Sequence, residues 1–228
     1  MTRSLTFCLG CLLAICLVAS PFAVADTVNL TVNNNCDGGC NPPVPQGTVI
    51  GIVTVSQNGA DSLIVSIAMQ PGFTQKVQDG NDFNFMGPVG LTISAVNVAW
   101  GGANPGSANN VTFGVSNGKS ADGFGTFAYN ITGIAVGLKD SAHNAVTSVS
   151  TLTFTVTSAG AIIPSDLISD LNSHQANFAI HWCDADGSQC APSTGFAANG
   201  TATVPDPPVA ALLASSLLLF GGFLRRWL

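Results

Sequence analysis

Three short stretches of this 228-residue chain carry residue types at spacings that could do chemistry. The first is "GVSNG" at 114–118, a Gly-x-Ser-x-Gly pattern that would make Ser116 a nucleophile. That chemistry needs a strand-to-helix elbow exposing the serine, with an acid and a histidine later in the chain. His143, His174 and His181 do follow, but the next residues, "KSADGFG", have the composition of a turn rather than a helix. We therefore read Ser116 as a turn residue. The second stretch is "DADG" at 184–187, which spaces Asp184 and Asp186 as in calcium loops. A calcium site needs five or more oxygen ligands, and the EF-hand type ends on a bidentate Glu that this chain lacks altogether. Asp184 and Asp186 stay as calcium candidates, with Ser188, backbone carbonyls and "DGND" (79–82) as further contributors. The competing reading is a solvated hairpin.

The third is the cysteine pattern. Cys8, Cys11 and Cys16 fall in the apolar N-terminal segment, leaving Cys36, Cys40, Cys183 and Cys190 in the body. An even count in an exported chain reads as two disulfides. Local pairing, Cys36–Cys40 and Cys183–Cys190, is our choice of the three connectivities, because Asp-Gly turns in both intervals can bring the ends together. Zinc would call for paired Cys-x-x-Cys knuckles, which are absent. His181 and Trp182 alternate beside Cys183, so a sheet can bury at most one of them. Trp100, Trp182 and Tyr129 are the aromatic residues available for a sugar platform. A glycoside hydrolase would need two positioned carboxylates, and the pattern isolates no such pair. No catalytic or cofactor-binding constellation emerges, and the expectation is a protein that is not an enzyme.

The elements that would position these residues are strands. From Asp26 to Thr203 the chain has eleven Asp, three Lys (Lys76, Lys119, Lys139) and no Glu or Arg, a formal net charge of −8. No basic patch exists for nucleic acid or anionic headgroups. Val, Thr, Ser, Asn and Gly dominate over helix formers. Strand-like runs fall at 27–32, 48–57, 62–70, 91–100, 111–116, 125–138, 145–159, 177–183 and 195–204, separated by turn signals such as Asn58-Gly59 and Pro71-Gly72. In "TLTFTV", Leu152, Phe154 and Val156 share one face and threonines the other, which predicts an antiparallel sheet wet on one side. The expected body is a mostly β, antiparallel, jelly-roll-like β-sandwich. One short helix is expected over "PSDLISDL", with Ser165 as its N-cap and Leu167, Ile168 and Leu171 on one side.

The two ends read as export signals. Arg3 precedes an apolar run from Leu5 to Ala19, followed by Ala23 and Ala25 in a small-x-small pattern. Residues 1–25 thus form a signal peptide with its own helix, and the mature chain starts at Asp26. At the other end Val209 to Leu224 is uncharged and apolar, preceded by Val204-Pro205-Asp206-Pro207 and followed by Arg225 and Arg226. Sixteen residues is short for a ~30 Å hydrocarbon core, but Trp227 and Leu228 extend its reach and arginine stems can snorkel. The arginines favour the cytoplasmic side. A glycolipid-anchor signal is the competing tail reading, favoured by the Asn-x-Thr acceptors at Asn29, Asn110, Asn130 and Asn199, but it calls for a purely hydrophobic end.

This tail resembles the PEP-CTERM sorting signal of exported proteins in exopolysaccharide-producing Gram-negative bacteria, with Asp206 where the family motif has Glu. The resemblance covers residues 204–228. It implies a membrane segment at 209–224 in the inner membrane and cleavage by an exosortase-type enzyme. It also implies delivery to the cell surface or the extracellular medium, in association with exopolysaccharide and biofilm. The alternative function for the 26–203 ectodomain is a carbohydrate-binding module, calcium-assisted if Asp184 and Asp186 bind the ion, with a secreted hydrolase as the third reading.

Overall fold

The computed structural model describes residues 25–32, 44–45, 47–78, 80–121, 124–172, 176–186 and 189–199, with the side chains of 184–194 left aside. The signal segment before Ala25, Cys36, Cys40 and the tail motif with Arg225 and Arg226 lie outside the described residues. Among the described residues no helix is long and apolar enough to cross a membrane.

The chain is mostly β, and every strand pairing is antiparallel. In order come β1 (Ala25–Val32), β2 (Val49–Gln57), β3 (Ser62–Met69), β4 (Phe73–Lys76), β5 (Phe83–Phe85), β6 (Thr92–Trp100), β7 (Gly106–Ala108) and β8 (Gly114–Ser116). They are followed by β9 (Lys119–Ala121), β10 (Gly125–Phe127), β11 (Tyr129–Thr132), β12 (Ser148–Val149), β13 (Thr151–Thr157), α1 (Pro164–Ile168), β14 (Phe178–Asp186) and β15 (Gln189–Asn199). One sheet runs β7-β6-β13-β3-β2-β1-β15-β14-β5-β11-β8, with β4 bridging β12 and β14; β9 and β10 form a separate hairpin.

That sheet curls, and the covalent β3–β4 link completes a circuit of strands. β3 pairs β2 along its length, then bends at the Pro71-Gly72 turn, where Gly72 takes φ +91° and Phe73 N donates to the Gln70 carbonyl at 3.0 Å. Beyond the bend the chain continues as β4 and pairs β14, which pairs β15, which pairs β1, which pairs β2. The ring encloses the apolar faces of the strands. Val53 and Val55 (β2), Leu63, Val65 and Ile67 (β3) and Leu152, Phe154 and Val156 (β13) are all fully buried, and they alternate with wetter serines and threonines. Phe83 and Phe85 of β5 complete this interior. Phe83 meets Phe154 at 5.6 Å between ring centroids, and Phe85 stacks on Tyr129 at 5.0 Å.

A second, smaller apolar cluster lies apart from the main core. Ala121, Phe124 and Phe127 of the β9–β10 hairpin pack there with Ala176, Ala179 and Ala198, flanked by Met86 and Phe196.

The helix is shorter than its sequence pattern suggests. It spans Pro164–Ile168, with Ile163 rather than Ser165 at the N-cap. Pro164 takes the first helical position, where its missing N–H costs nothing, and the Asp166 carboxylate accepts the Ile163 N–H at 2.9 Å. Leu167 and Ile168 are buried, whereas Leu171 lies past the last turn and is exposed.

Candidate functional site

Ser116 ends β8 and enters no nucleophile elbow, because a turn and β9 follow it. Its hydroxyl donates to the Asn130 side-chain oxygen at 3.2 Å. Asn130 is directly opposite Ser116 on one side and Asn84 on the other, so the three form a polar ladder across β8, β11 and β5. The Asn130 amide nitrogen donates to Asn84 Oδ1 and Asn81 Oδ1, both at 3.0 Å. Asn81 donates in turn to the Ser120 carbonyl of β9 at 3.2 Å, tying the β9–β10 hairpin to the ladder. His181 sits on β14, three strand spacings from β8, or about 14 Å. It stacks on Phe196, with ring centroids 4.5 Å apart. His143 lies in a loop with φ +67°. Ser116 is thus engaged in the ladder, and His174 lies outside the described residues.

Three carboxylates of the described residues, those of Asp82, Asp140 and Asp166, anchor backbone N–H groups. Asp82 is fully buried and accepts the Ile134 N–H at 2.7 Å, whereas Asp79 lies outside the described residues. Asp140 Oδ1 accepts the N–H groups of Ala142 and Asn144, each at 2.9 Å. Asp26 is nearly buried, and desolvation pushes its carboxyl above the ordinary value of 3.8. Asp184 and Asp186 fall on β14, where Asp186 faces Gln189 across the hairpin and Asp184 faces Phe73 of β4; their side chains lie outside the described set. No group of three metal-ligating side chains occurs among the described residues. Cys183 is buried and disulfide-bonded, with its sulfur 3.3 Å from the Thr74 hydroxyl; the sulfur that it bonds is not among the described side chains.

The three rings considered for a sugar platform are all interior. Trp182 is the buried member of the His181-Trp182 pair, at 0% exposure. Trp100 is 8% exposed, and its indole N–H donates to the Asn104 carbonyl at 3.0 Å. Tyr129 is 6% exposed, and its hydroxyl donates to the Pro88 carbonyl at 2.6 Å and accepts the Leu91 N–H at 3.0 Å. These positions are set by alternation: each ring falls on the inward face of its strand. Asn130 and Asn199, two of the four Asn-x-Thr acceptors, are likewise buried and hydrogen-bonded.

The concavity that remains was not singled out by sequence. It is an open groove of about 670 Å³ built from three separate segments: Met86 with Val89–Leu91, Val115 with Asn117-Gly118, and Thr126–Tyr129. Tyr129 pins one wall through its two bonds to the Pro88–Leu91 turn, in which Gly90 takes φ +90°. Val89 at the tip of this turn is wholly exposed and Val115 is 46% exposed. The opposite wall is β8, the last strand in the sheet order. The groove is apolar, with no titratable side chain except the Tyr129 phenol, and is suited to contact rather than to proton transfer. The one sequence signal for it is "GPVGL" (87–91), a valine held between turn formers.

No family model, curated protein or solved structure matches this chain.

Proposed function

We propose that the chain is an exported, C-terminally sorted protein of the cell surface or extracellular matrix, with no catalytic activity and in association with exopolysaccharide. The observation that carries this reading is the order of elements in the last 25 residues. Val204-Pro205-Asp206-Pro207 is followed by the uncharged run 209–224 and then by Arg225-Arg226. Residues 1–25 supply the entry signal and 209–224 the transmembrane helix, and an exosortase-type enzyme in the inner membrane is the partner of the motif. The ectodomain between them is a jelly-roll-like sandwich whose layers are joined by strands, such as β3–β4, that pass from one to the other. Cys36–Cys40 and Cys183–Cys190 close its two local disulfides.

Two features support a contact role over catalysis. Ser116 is engaged in the asparagine ladder, and the described Asp82 and Asp140 hold backbone rather than facing a cleft. The burial of Trp100, Trp182 and Tyr129 weighs against a carbohydrate-binding module built on them. Fractionation with intact-mass measurement tests the reading. The expected product begins at Asp26 and has lost the tail near 204–207, whereas a cytosolic protein running from Met1 to Leu228 overturns it.

A further inference from the structure

The groove wall is bonded to the end of β15, the last described strand. Asn199, the last residue of β15, accepts the Asn177 N–H on its side-chain oxygen at 2.9 Å, and the Asn177 carbonyl accepts the Met86 N–H at 2.8 Å. Two hydrogen bonds thus connect the end of β15 to the groove wall. Ala198 also shares its apolar cluster with Met86 and Phe127, both of which line the groove.

We infer that the rim of this groove is a membrane-docking surface, with Val89 and Val115 entering the interfacial layer of the bilayer that holds the tail. The inference rests on the reading of 209–224 as a membrane segment. Nine residues, 200–208, separate Asn199 from that segment. Fully extended they reach at most about 30 Å. A folded body of this length is roughly 40 Å across. The tether is therefore shorter than the body it holds, which limits how far the face near Asn199 can turn away from the lipid.

What that face presents is apolar: the wholly exposed Val89, the half-exposed Val115, and Leu91 behind them. Lys119 follows the groove-lining Gly118 and is exposed. The −8 charge of the body gives no attraction to anionic headgroups, so the contact depends on apolar burial and is insensitive to salt. Two valines alone would bind a vesicle only transiently. Tethering raises their effective concentration to about the millimolar range, which biases the body toward the docked orientation.

The test uses the mature protein from Asp26 to Leu228, without the apolar 1–25 segment that could itself bind lipid, reconstituted into phosphatidylcholine vesicles with brominated acyl chains. A Trp227→Phe background leaves as native indoles only Trp100 and Trp182, both buried. Adding Val89→Trp should contribute, over that background, a blue-shifted emission that the bromines quench at least twofold, unchanged between low and high salt. Adding Val115→Asp to that chain should abolish the quenching while the protein still floats with the vesicles. An unquenched Val89→Trp indole on floating protein overturns the docking surface and leaves the tail reading intact. A blue shift that grows with protein density without quenching assigns the surface to a second copy and overturns it too. Protein that does not float overturns the tail reading, and this inference with it.

Discussion

Trp182 lies across Gly195, its partner in the β14–β15 register, so closely that a Cβ on the glycine would stand 3.1–3.2 Å from three indole atoms. The same arrangement recurs on the other side of the sheet. Trp100 covers Gly106, its register partner on β7, where a Cβ would come within 2.5 Å of the ring. In both pairs a large ring occupies the space that the missing side chain leaves, and this supplies the packing that a glycine in a strand otherwise lacks.

These pairs set the first prediction. Gly195→Ala should destabilise the body by about 1–3 kcal/mol, because Trp182 is fully buried and held edge-on by Phe73 at 5.5 Å. Gly106→Ala needs a larger displacement, but on an edge strand it can be relieved by swinging Trp100 outward. Its signature should be loss of the Trp100–Asn104 hydrogen bond and a red-shifted Trp100 emission. Urea midpoints at unchanged slope measure the cost. A Gly195→Ala protein as stable as the parent would show that the ring is free to move.

The asparagine ladder gives the second. Asn130 is fully buried and serves Asn81, Asn84 and Ser116 together. Asn130→Ala leaves the Asn84 and Asn81 side-chain oxygens without this donor, at a cost of about 1–3 kcal/mol for each group left unsatisfied in the interior. Ser116→Ala removes one bond at a half-buried position and should cost under about 1 kcal/mol. Since the two residues are directly paired, their effects should be non-additive by more than about 0.5 kcal/mol in a double-mutant cycle. Additive effects would mean that Ser116 does not belong to the ladder.

What was readable beforehand follows from the same physics. β2, β3 and β13 each bury one face along seven or more residues, so alternation exposes them in the sequence. β5 escaped notice because "FNF" is three residues long and buried on both faces, Asn84 included, so it shows no polar alternation. β4, "FTQK", falls in none of the strand-like runs, and only its pairing with β12 and β14 makes it a strand. In the opposite direction, the apolar run 125–138 suggested one long strand. Only 125–127 and 129–132 are extended, because Gly133, Ala135 and Gly137 all take positive φ and wind the rest into turns. The groove was illegible for a different reason. Its walls come from three segments that only the β5–β11–β8 pairing brings together, and the rings that looked available for binding are the ones the inward faces need.

A pH dependence follows from Asp26. Burial raises its carboxyl above the ordinary 3.8, so folding favours the protonated form. The stability tied to that proton is fully present below the unfolded-state value and is lost as pH rises through the higher folded-state value. Asp26→Asn removes the penalty of burying the charge. In a chain that retains Ala25, so that no new ammonium group lies beside the site, the variant should be more stable than the parent at pH 7. The gap should close as pH falls below about 4. Melting temperatures from pH 3 to 7 check this, and a gap that widens toward acid would contradict it.

The last prediction concerns the tail. Sixteen uncharged residues bind a bilayer well but span it only marginally, so flanking groups decide the outcome. On the proposed sorting reading, Arg225 and Arg226 hold the segment against transfer across the membrane, each costing about 2.5–3.5 kcal/mol near its centre. On the same reading Pro205 and Pro207 disfavour regular helix or strand ahead of the segment, which suits a stretch that a protease engages. Replacing both arginines with Ser should weaken retention, so that unprocessed protein is misrouted. Replacing Pro205 and Pro207 with Ala should leave the segment in place, so that a full-length precursor accumulates in the membrane fraction. The two phenotypes differ in location, and fractionation with intact mass separates them. Wild-type protein that keeps Leu228 in a strain carrying the sorting enzyme would rule out cleavage and make the tail a permanent anchor.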